Sequence, residues 1–384
     1  MKRNSHIVLI LTLLLSVYSC VDTEEKGTST LFATDTLKVF GLDKSTSNVS
    51  DGLQYFFDEN SVQAFLFSLS SSKNEIQVFN FQTGLLVERL TFEAEGPAGV
   101  GSLSSFYVHR LDSVLLFPNS GNRLFITDAK KRSIQRIDYN VPDGYGNATV
   151  SSTFFSARPF LKNGKLLVKT LYQGNYSTIS NDELSVRHTS YMIDLKSGET
   201  SLLDATFPDD YWSDVRKHFQ FSFTATESGM AYSFWGDHNI YFSKPVNSPV
   251  QAKPARSEAL STKWEALPLG GDRINRTKYF ATSAHYGNLI YDPYREVYYR
   301  FSFPKVEIEN ETDLRLLARF PTKYSIMILS KDMIVLGEQE FSKNSKSEVS
   351  NVFVGKEGLY ISVNHPESEE NKEDFLSFRL YKLQ

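Results

Sequence analysis

The chain predicts an all-β fold, a six-bladed β-propeller, and three observations carry that reading. Short runs rich in Val, Ile, Phe, Tyr, Leu and Thr recur from Thr34 onward between Gly, Asn, Asp and Pro turns. These runs group into units of about 60 residues, the spacing of a repeat architecture. One run near the N-terminus has no local partners, and the last unit lacks one strand. With 29 Phe and 20 Tyr in 384 residues, the composition favours strands over helices. Lys and Arg number 41 against 45 Asp and Glu, a net charge of −4, so no global positive field is available to hold nucleic acid.

Lys2 and Arg3 precede an apolar run from Ile7 to Leu15 and then Ser16-Val17-Tyr18-Ser19-Cys20. The run is shorter than the roughly 20 residues needed to cross a bilayer and carries a basic flank, which predicts a signal peptide over residues 1–19. Val17-Tyr18-Ser19-Cys20 resembles a bacterial lipobox, with Tyr18 bulkier than that motif usually has. Cys20 is the only cysteine, so no disulfide within the molecule is possible, and its position makes it the expected lipidation site. Two or three acyl chains anchor stably where one does not. Residues 20–33, polar and small, predict a tether, and residues 34–384 a single propeller domain. No later segment approaches 18 consecutive apolar residues, so the lipid on Cys20 is the expected membrane attachment and the outer membrane the expected address, facing either the cell surface or the periplasm.

The units follow in order. The first comprises Leu53 to Phe57, Val62 to Phe67, Glu75 to Asn80 and Leu86 to Phe92. The second is the clearest, with Ser105 to Val108, Ser113 to Phe117, Arg123 to Thr127 and Ser133 to Ile137 joined by short turn-forming connections. Thr153 to Pro159 opens the third, followed by Lys165 to Thr170, Thr189 to Asp194 and Glu199 to Leu203. The fourth runs from Phe219 through Trp235 and Phe242 to a last strand near Trp264; Phe280 opens the fifth, with outer strands at Tyr324 to Leu329 and Met333 to Gln339. The sixth holds only Val352 to Gly355, Leu359 to Val363 and Leu376 to Lys382. Thr34 to Phe40 supplies the missing fourth strand, so each blade becomes a four-stranded antiparallel meander. The N-terminal strand pairs with the C-terminal blade and closes the ring.

The segment from Thr91 to Gly101, the lipobox, Tyr291-Asp292-Pro293 and Tyr298-Tyr299-Arg300-Phe301 together resemble the DUF4221 family of Bacteroidetes lipoproteins, which are similar to TolB-type six-bladed propellers. The acidic residues soon after Cys20 also look like the export signals of surface lipoproteins from that group. The resemblance implies the fold and the address. It implies no catalytic residue.

In a propeller, the loops between blades share a face with the loops between second and third strands, and that face is the expected ligand rim. Glu95 stands there as the only charge in the glycine-rich loop Glu95 to Gly101. That loop lacks the following helix of a dinucleotide fingerprint and reads first as a turn. Asp209, Asp210, Tyr211 and Trp212 join carboxylates to aromatics as sugar-binding loops do, or else begin a short helix whose rings pack on the next blade. Arg273 and Arg276, near Gly270 and Gly271, offer guanidinium forks for carboxylate or phosphate, or are solvated loop charges. The six histidines after Cys20 show no zinc-ligand spacing, Asp237-His238 sits in a tight turn, and no nucleophile elbow is present. No cofactor or metal is called for. The expected function is therefore a lipid-anchored binding module of the cell envelope with an envelope protein, glycan or peptide as partner. The alternative is a metal-dependent lactonase- or lyase-like propeller enzyme whose channel carboxylates come from distant loops.

Overall fold

In the computed structural model, six sheets stand around a central axis. Residues 28–176, 178–268, 273–308, 314–342 and 346–384 are described, so the expected signal peptide, Cys20 and most of the expected tether lie outside them. Blade 1 contains Gly52–Asp58, Gln63–Ser70, Glu75–Asn80 and Leu86–Thr91, and blade 2 contains Leu103–Arg110, Ser113–Pro118, Arg123–Thr127 and Ile134–Asp138. Blade 3 is the smallest, with Phe160–Lys162, Lys165–Lys169, Ser190–Asp194 and Thr200–Leu202. Blade 4 holds Phe221–Thr226, Gly229–Phe234, Asn239–Ser243 and Gln251–Pro254; blade 5 holds His285–Asp292, Val297–Phe303, Tyr324–Ser330 and Val335–Phe341. Blade 6 is Glu348–Gly355, Gly358–Ser362 and Phe375–Leu383, completed by Leu31–Gly41.

That last pairing closes the ring as the sequence predicts. Leu31–Gly41 runs antiparallel to Phe375–Leu383, from Leu31 opposite Leu383 to Gly41 opposite Phe375, and starts three residues before Thr34. Phe40 is fully buried at the join, with its ring edge-on to Phe79 of blade 1 at 5.6 Å and to Phe378 of blade 6 at 6.0 Å. Blade 1 approaches so closely that a Cβ on Gly84 would lie 2.2 Å from the carbonyl oxygen of Val39, and Gly84 has φ 72°.

Six apolar clusters fill the six gaps between blades. Consecutive side chains of a strand point to opposite faces, and here both faces are buried. In Val114-Leu115-Leu116-Phe117, Val114 and Leu116 pack toward blade 1 while Leu115 and Phe117 pack toward blade 3. Second strands therefore read as mostly apolar runs rather than as strictly alternating ones.

Three expected strands fall elsewhere. Thr153 to Pro159 does not open blade 3: Ala157–Arg158 pairs in parallel with Phe223-Thr224 as an extra inner strand of blade 4, and Phe160–Lys162 opens blade 3. The cause is Asn163-Gly164, whose φ values of 52° and 73° form a two-residue hairpin turn that fixes Lys162 opposite Lys165. The last strand of blade 4 is Gln251–Pro254, while Trp264 stacks on His238 with ring centres 4.6 Å apart. Phe280 lies in a helix, α2 (Arg273–Thr282), that precedes blade 5; Asn181–Ser185 and Leu314–Arg319 form two further short helices, α1 and α3.

Buried polar side chains join the blades where the family-like motifs occur. Arg300 of blade 5 is fully buried and reaches into blade 4. Its Nε donates to Ser233 Oγ at 2.9 Å, Nη1 to the carbonyls of Ala255 at 2.8 Å and His238 at 3.1 Å, and Nη2 to those of Asp237 at 2.6 Å and Asn239 at 3.2 Å. Its guanidinium lies 3.4 Å from the Tyr286 ring centre. Asp292 accepts from the backbone N–H of Tyr294 and Arg295 and from Tyr299 Oη, and pairs with Arg295 Nη1 at 2.6 Å; Arg295 Nη2 in turn donates to the Lys356 carbonyl of blade 6. At the head of blade 6, the fully buried Glu348 accepts from Ser350 N and Oγ. Burial pushes its carboxyl up to about 7, opposed by the Ser350 hydrogen bonds and by Arg319 of α3.

Arg300→Lys is expected to destabilise the protein by about 3 kcal/mol or more, because an ammonium cannot serve four divergent carbonyls and each unsatisfied buried acceptor costs about 1–3 kcal/mol; urea unfolding midpoints check this. Glu348 has a folded-state pKa above its unfolded value, so its favourable contribution is complete below about 4.5 and lost as pH rises through about 7. Glu348→Gln is expected to raise the unfolding midpoint above pH 7 and to leave it near that of the parent at pH 4.5.

Candidate functional site

The first strands of blades 1, 2, 4, 5 and 6 form the wall of the central channel. Blade 3 contributes only three residues there, and residues 142–159 occupy the space it leaves. This arm is tied to blade 3 by the Tyr145–Tyr172 and Thr149–Lys169 bridges, then turns back on itself at Ser151–Ala157. It crosses from one wall to the other: Ser152 Oγ accepts from Leu53 N of blade 1 at 2.8 Å, and Ser156 N donates to Asn288 Oδ1 of blade 5 at 2.9 Å. Ser156 Oγ also donates to the Leu289 carbonyl and accepts from its N–H. Between these anchors Phe155 has φ 50°, a strained value for a bulky residue, and is held by stacking on Trp235 at 5.4 Å.

On one side of the arm lies an aromatic cluster with a small void of about 40 Å³. His285 stacks on Trp235 at 4.0 Å and on Phe303 at 4.9 Å, and His218 lies 4.8 Å from the same indole. Burial pulls both imidazoles down to about 4, with His285 adding to the effect on His218, so both are neutral at pH 7. His285 Nδ1 is 2.8 Å from the Ser283 carbonyl, and Gln220 N donates to His218 Nδ1. These are packed core histidines without a carboxylate partner among the described residues, an arrangement unsuited to proton relay.

On the other side a cavity of about 120 Å³ runs down the channel. Tyr55, Phe106, Tyr107, Ile290, Tyr291 and Phe353 give its wall an aromatic and apolar character. The inner polar groups already have partners: Gln54 bonds both polar atoms of Val108, and Thr224 Oγ1 donates to the Leu289 carbonyl. Arg158 is the only charged residue of the lining and is exposed, and its guanidinium makes no hydrogen bond or ion pair with a described residue. Tyr294, 42% exposed, stands with it at the open end. Tyr55 is stacked against Phe353 at 6.3 Å and meets Tyr294 edge-on at 6.5 Å. Burial pushes Tyr55 up to about 12 and raises Tyr294, whose shift Arg158 opposes, so both hydroxyls keep their protons at neutral pH. A guanidinium beside two phenols and an aromatic wall suits a carboxylate or similar anionic oxygen group on a flat or apolar stem.

The residues singled out in the sequence are not brought together. Glu95 lies in a self-bonded turn, where Gly96 and Gly101 have φ 87° and 83°, beside an open outer groove with Arg123 and Arg136. Asp209 and Asp210 are exposed on a turn, while Tyr211 and Trp212 are buried in the blade 3–blade 4 core. Tyr211 Oη donates to the His218 carbonyl and Trp212 Nε1 to that of Lys217. Arg273 and Arg276 lie on the exposed surface of α2; Gly270 and Gly271 are outside the described residues, as is Cys20. None of these lines the channel cavity. Arg158, Tyr55, Tyr291 and Tyr294 were not singled out for a ligand role, although Tyr291 heads a family-like motif and Tyr294 directly follows it. Among the described residues no group of three or more His, Cys, Asp or Glu side chains is placed to hold a metal ion.

Known structures repeat this ring. A DUF4221 family member from Bacteroides vulgatus superposes with a TM-score of 0.82 at 22% identity, covering 93% of this chain and 98% of its own. A Bacteroides fragilis protein described as exported superposes at 0.53 with 12% identity, covering 92% and 95%. No curated protein matches the sequence. The family model for DUF4221, a domain of unknown function, matches residues 28–340, so the chain belongs to that family.

Proposed function

We propose that the protein is an extracytoplasmic, lipid-anchored binding module whose channel receives the anionic tip of a small ligand. Arg158 carries this reading: it is a cation without a counter-ion among the described residues, set at the rim of a cavity whose other lining residues are aromatic, apolar or uncharged polar. An isolated charge in that setting gains most from a ligand that brings the opposite charge and covers the rings. The cavity is slightly smaller than the roughly 150 Å³ void that holds a benzene ring, so it suits the end of a molecule rather than a sugar chain. The absence of carboxylates from the lining favours binding over metal-assisted lactone or glycosidic chemistry. The address rests on the basic-apolar leader and Cys20, and the exported Bacteroides neighbour agrees with it. No helix among the described residues is long and apolar enough to cross a membrane.

Calorimetric titration with monocarboxylates of rising bulk, from acetate to benzoate, and with the matching amides is expected to show binding of acids in preference to amides. Arg158→Gln is expected to weaken binding of the best acid by about 10- to 100-fold, the worth of a charged hydrogen bond. Equal affinity for acid and amide, or an unaffected variant, would overturn the channel reading. Cys20→Ala is expected to release the protein from sedimented membranes, and a variant that still sediments would disprove the anchor.

A further inference from the structure

We infer that the face carrying the turns between first and second and between third and fourth strands rests on the lipid surface along blades 5, 6 and 1; this rests on the lipid-anchored reading above. The closing strand begins on that face. Leu31 lies opposite Leu383, Thr30 and Gln384 exchange two backbone hydrogen bonds, and Ser29 N donates to the Leu336 carbonyl of blade 5. Chain preceding Leu31 therefore leaves the ring among these turns. Ten residues separate Cys20 from Leu31, and even fully extended that stretch spans about 40 Å. A short connection of this kind holds the face at high effective concentration against the bilayer, so weak contacts suffice to dock it.

The contacts are present. Eleven large apolar side chains are exposed among the described residues, and six of them lie at this end of three consecutive blades: Phe32, Val62, Leu85, Val87, Tyr294 and Ile334. Val62 is 72% exposed and Leu85 65%. Blades 2, 3 and 4 present none at this end. Single exposed apolar residues are ordinary, but a set confined to one half of one face and centred on the outgoing chain marks a contact surface. The turns themselves carry Arg295, Lys331 and Lys356 against Glu59, Glu296, Asp332 and Glu357, and Lys331 pairs with Glu296. With near balance of charge, the attraction is apolar and needs no anionic lipid. Tyr294 belongs to both features, so the cavity opens beside this contact surface.

The test uses the full chain, lipidated in its host, with Leu85→Cys labelled by an environment-sensitive dye; lipidated Cys20 has no free thiol. Val186→Cys, on the arm-bearing face and 62% exposed, is the control. In phosphatidylcholine vesicles the dye at position 85 is expected to show blue-shifted emission and loss of iodide quenching, unchanged by salt or added anionic lipid, while the dye at 186 shows neither. Replacing Phe32, Val62 and Ile334 together by Ser should restore quenching at 85 without releasing the protein from the vesicles. Sedimentation with a fully quenched dye at 85 overturns this inference alone, as does shielding that requires anionic lipid or appears only in native membranes containing a partner protein. A chain that stays in the supernatant overturns the anchor reading with it.

Discussion

The join between the two ends of the chain is the constraint on which this ring depends. Every other blade builds its four antiparallel strands from neighbouring sequence, with Ala157–Arg158 added to blade 4, but blade 6 takes its outer strand from more than three hundred residues away. Without Leu31–Gly41 the third strand of that blade would present a free edge, and Phe40 would leave its slot between Phe79 and Phe378. A blade cannot move outward alone, because each second strand supplies side chains to two cores at once. The closing strand therefore stabilises the whole circle rather than one sheet.

The same duality explains how much could be read in advance. Runs such as Val114-Leu115-Leu116-Phe117, with turn formers at either end, mark second strands plainly because both faces are buried. The place of the N-terminal strand in the last blade was legible because it alternated and had no local partners. First strands were harder wherever the chain had another duty. Thr153 to Pro159 has strand composition and does form one, but it pairs with blade 4 because the Asn163-Gly164 turn commits Phe160–Lys162 to blade 3. Phe280 is apolar for the sake of the aromatic cluster around Trp235, which a helix serves as well as a strand.

The site was less legible than the fold for a related reason. Charged and aromatic residues in long loops attract attention in a sequence, and here Tyr211 and Trp212 use their polar atoms on backbone carbonyls while Asp209, Asp210, Arg273 and Arg276 face water. What distinguishes Arg158 is its place at the cavity rim without a partner among the described residues, a property of three-dimensional surroundings that spacing along the chain does not record. Buried arginine and exposed arginine look alike in one dimension: Arg300 has all five donors engaged, and Arg158 has none engaged with a described residue.

The crossing arm stands between the channel cavity and the aromatic cluster, and among the described residues Arg158 and Tyr294 mark the cavity's exposed doorway. Traffic through one doorway is symmetrical: whatever narrows it raises the same barrier for arrival and for escape, so both rates fall by one factor while the equilibrium between them is untouched. Occlusion of that doorway would thus lengthen the residence of a captive molecule without tightening its grip, turning a modest binder into a slow-exchanging one.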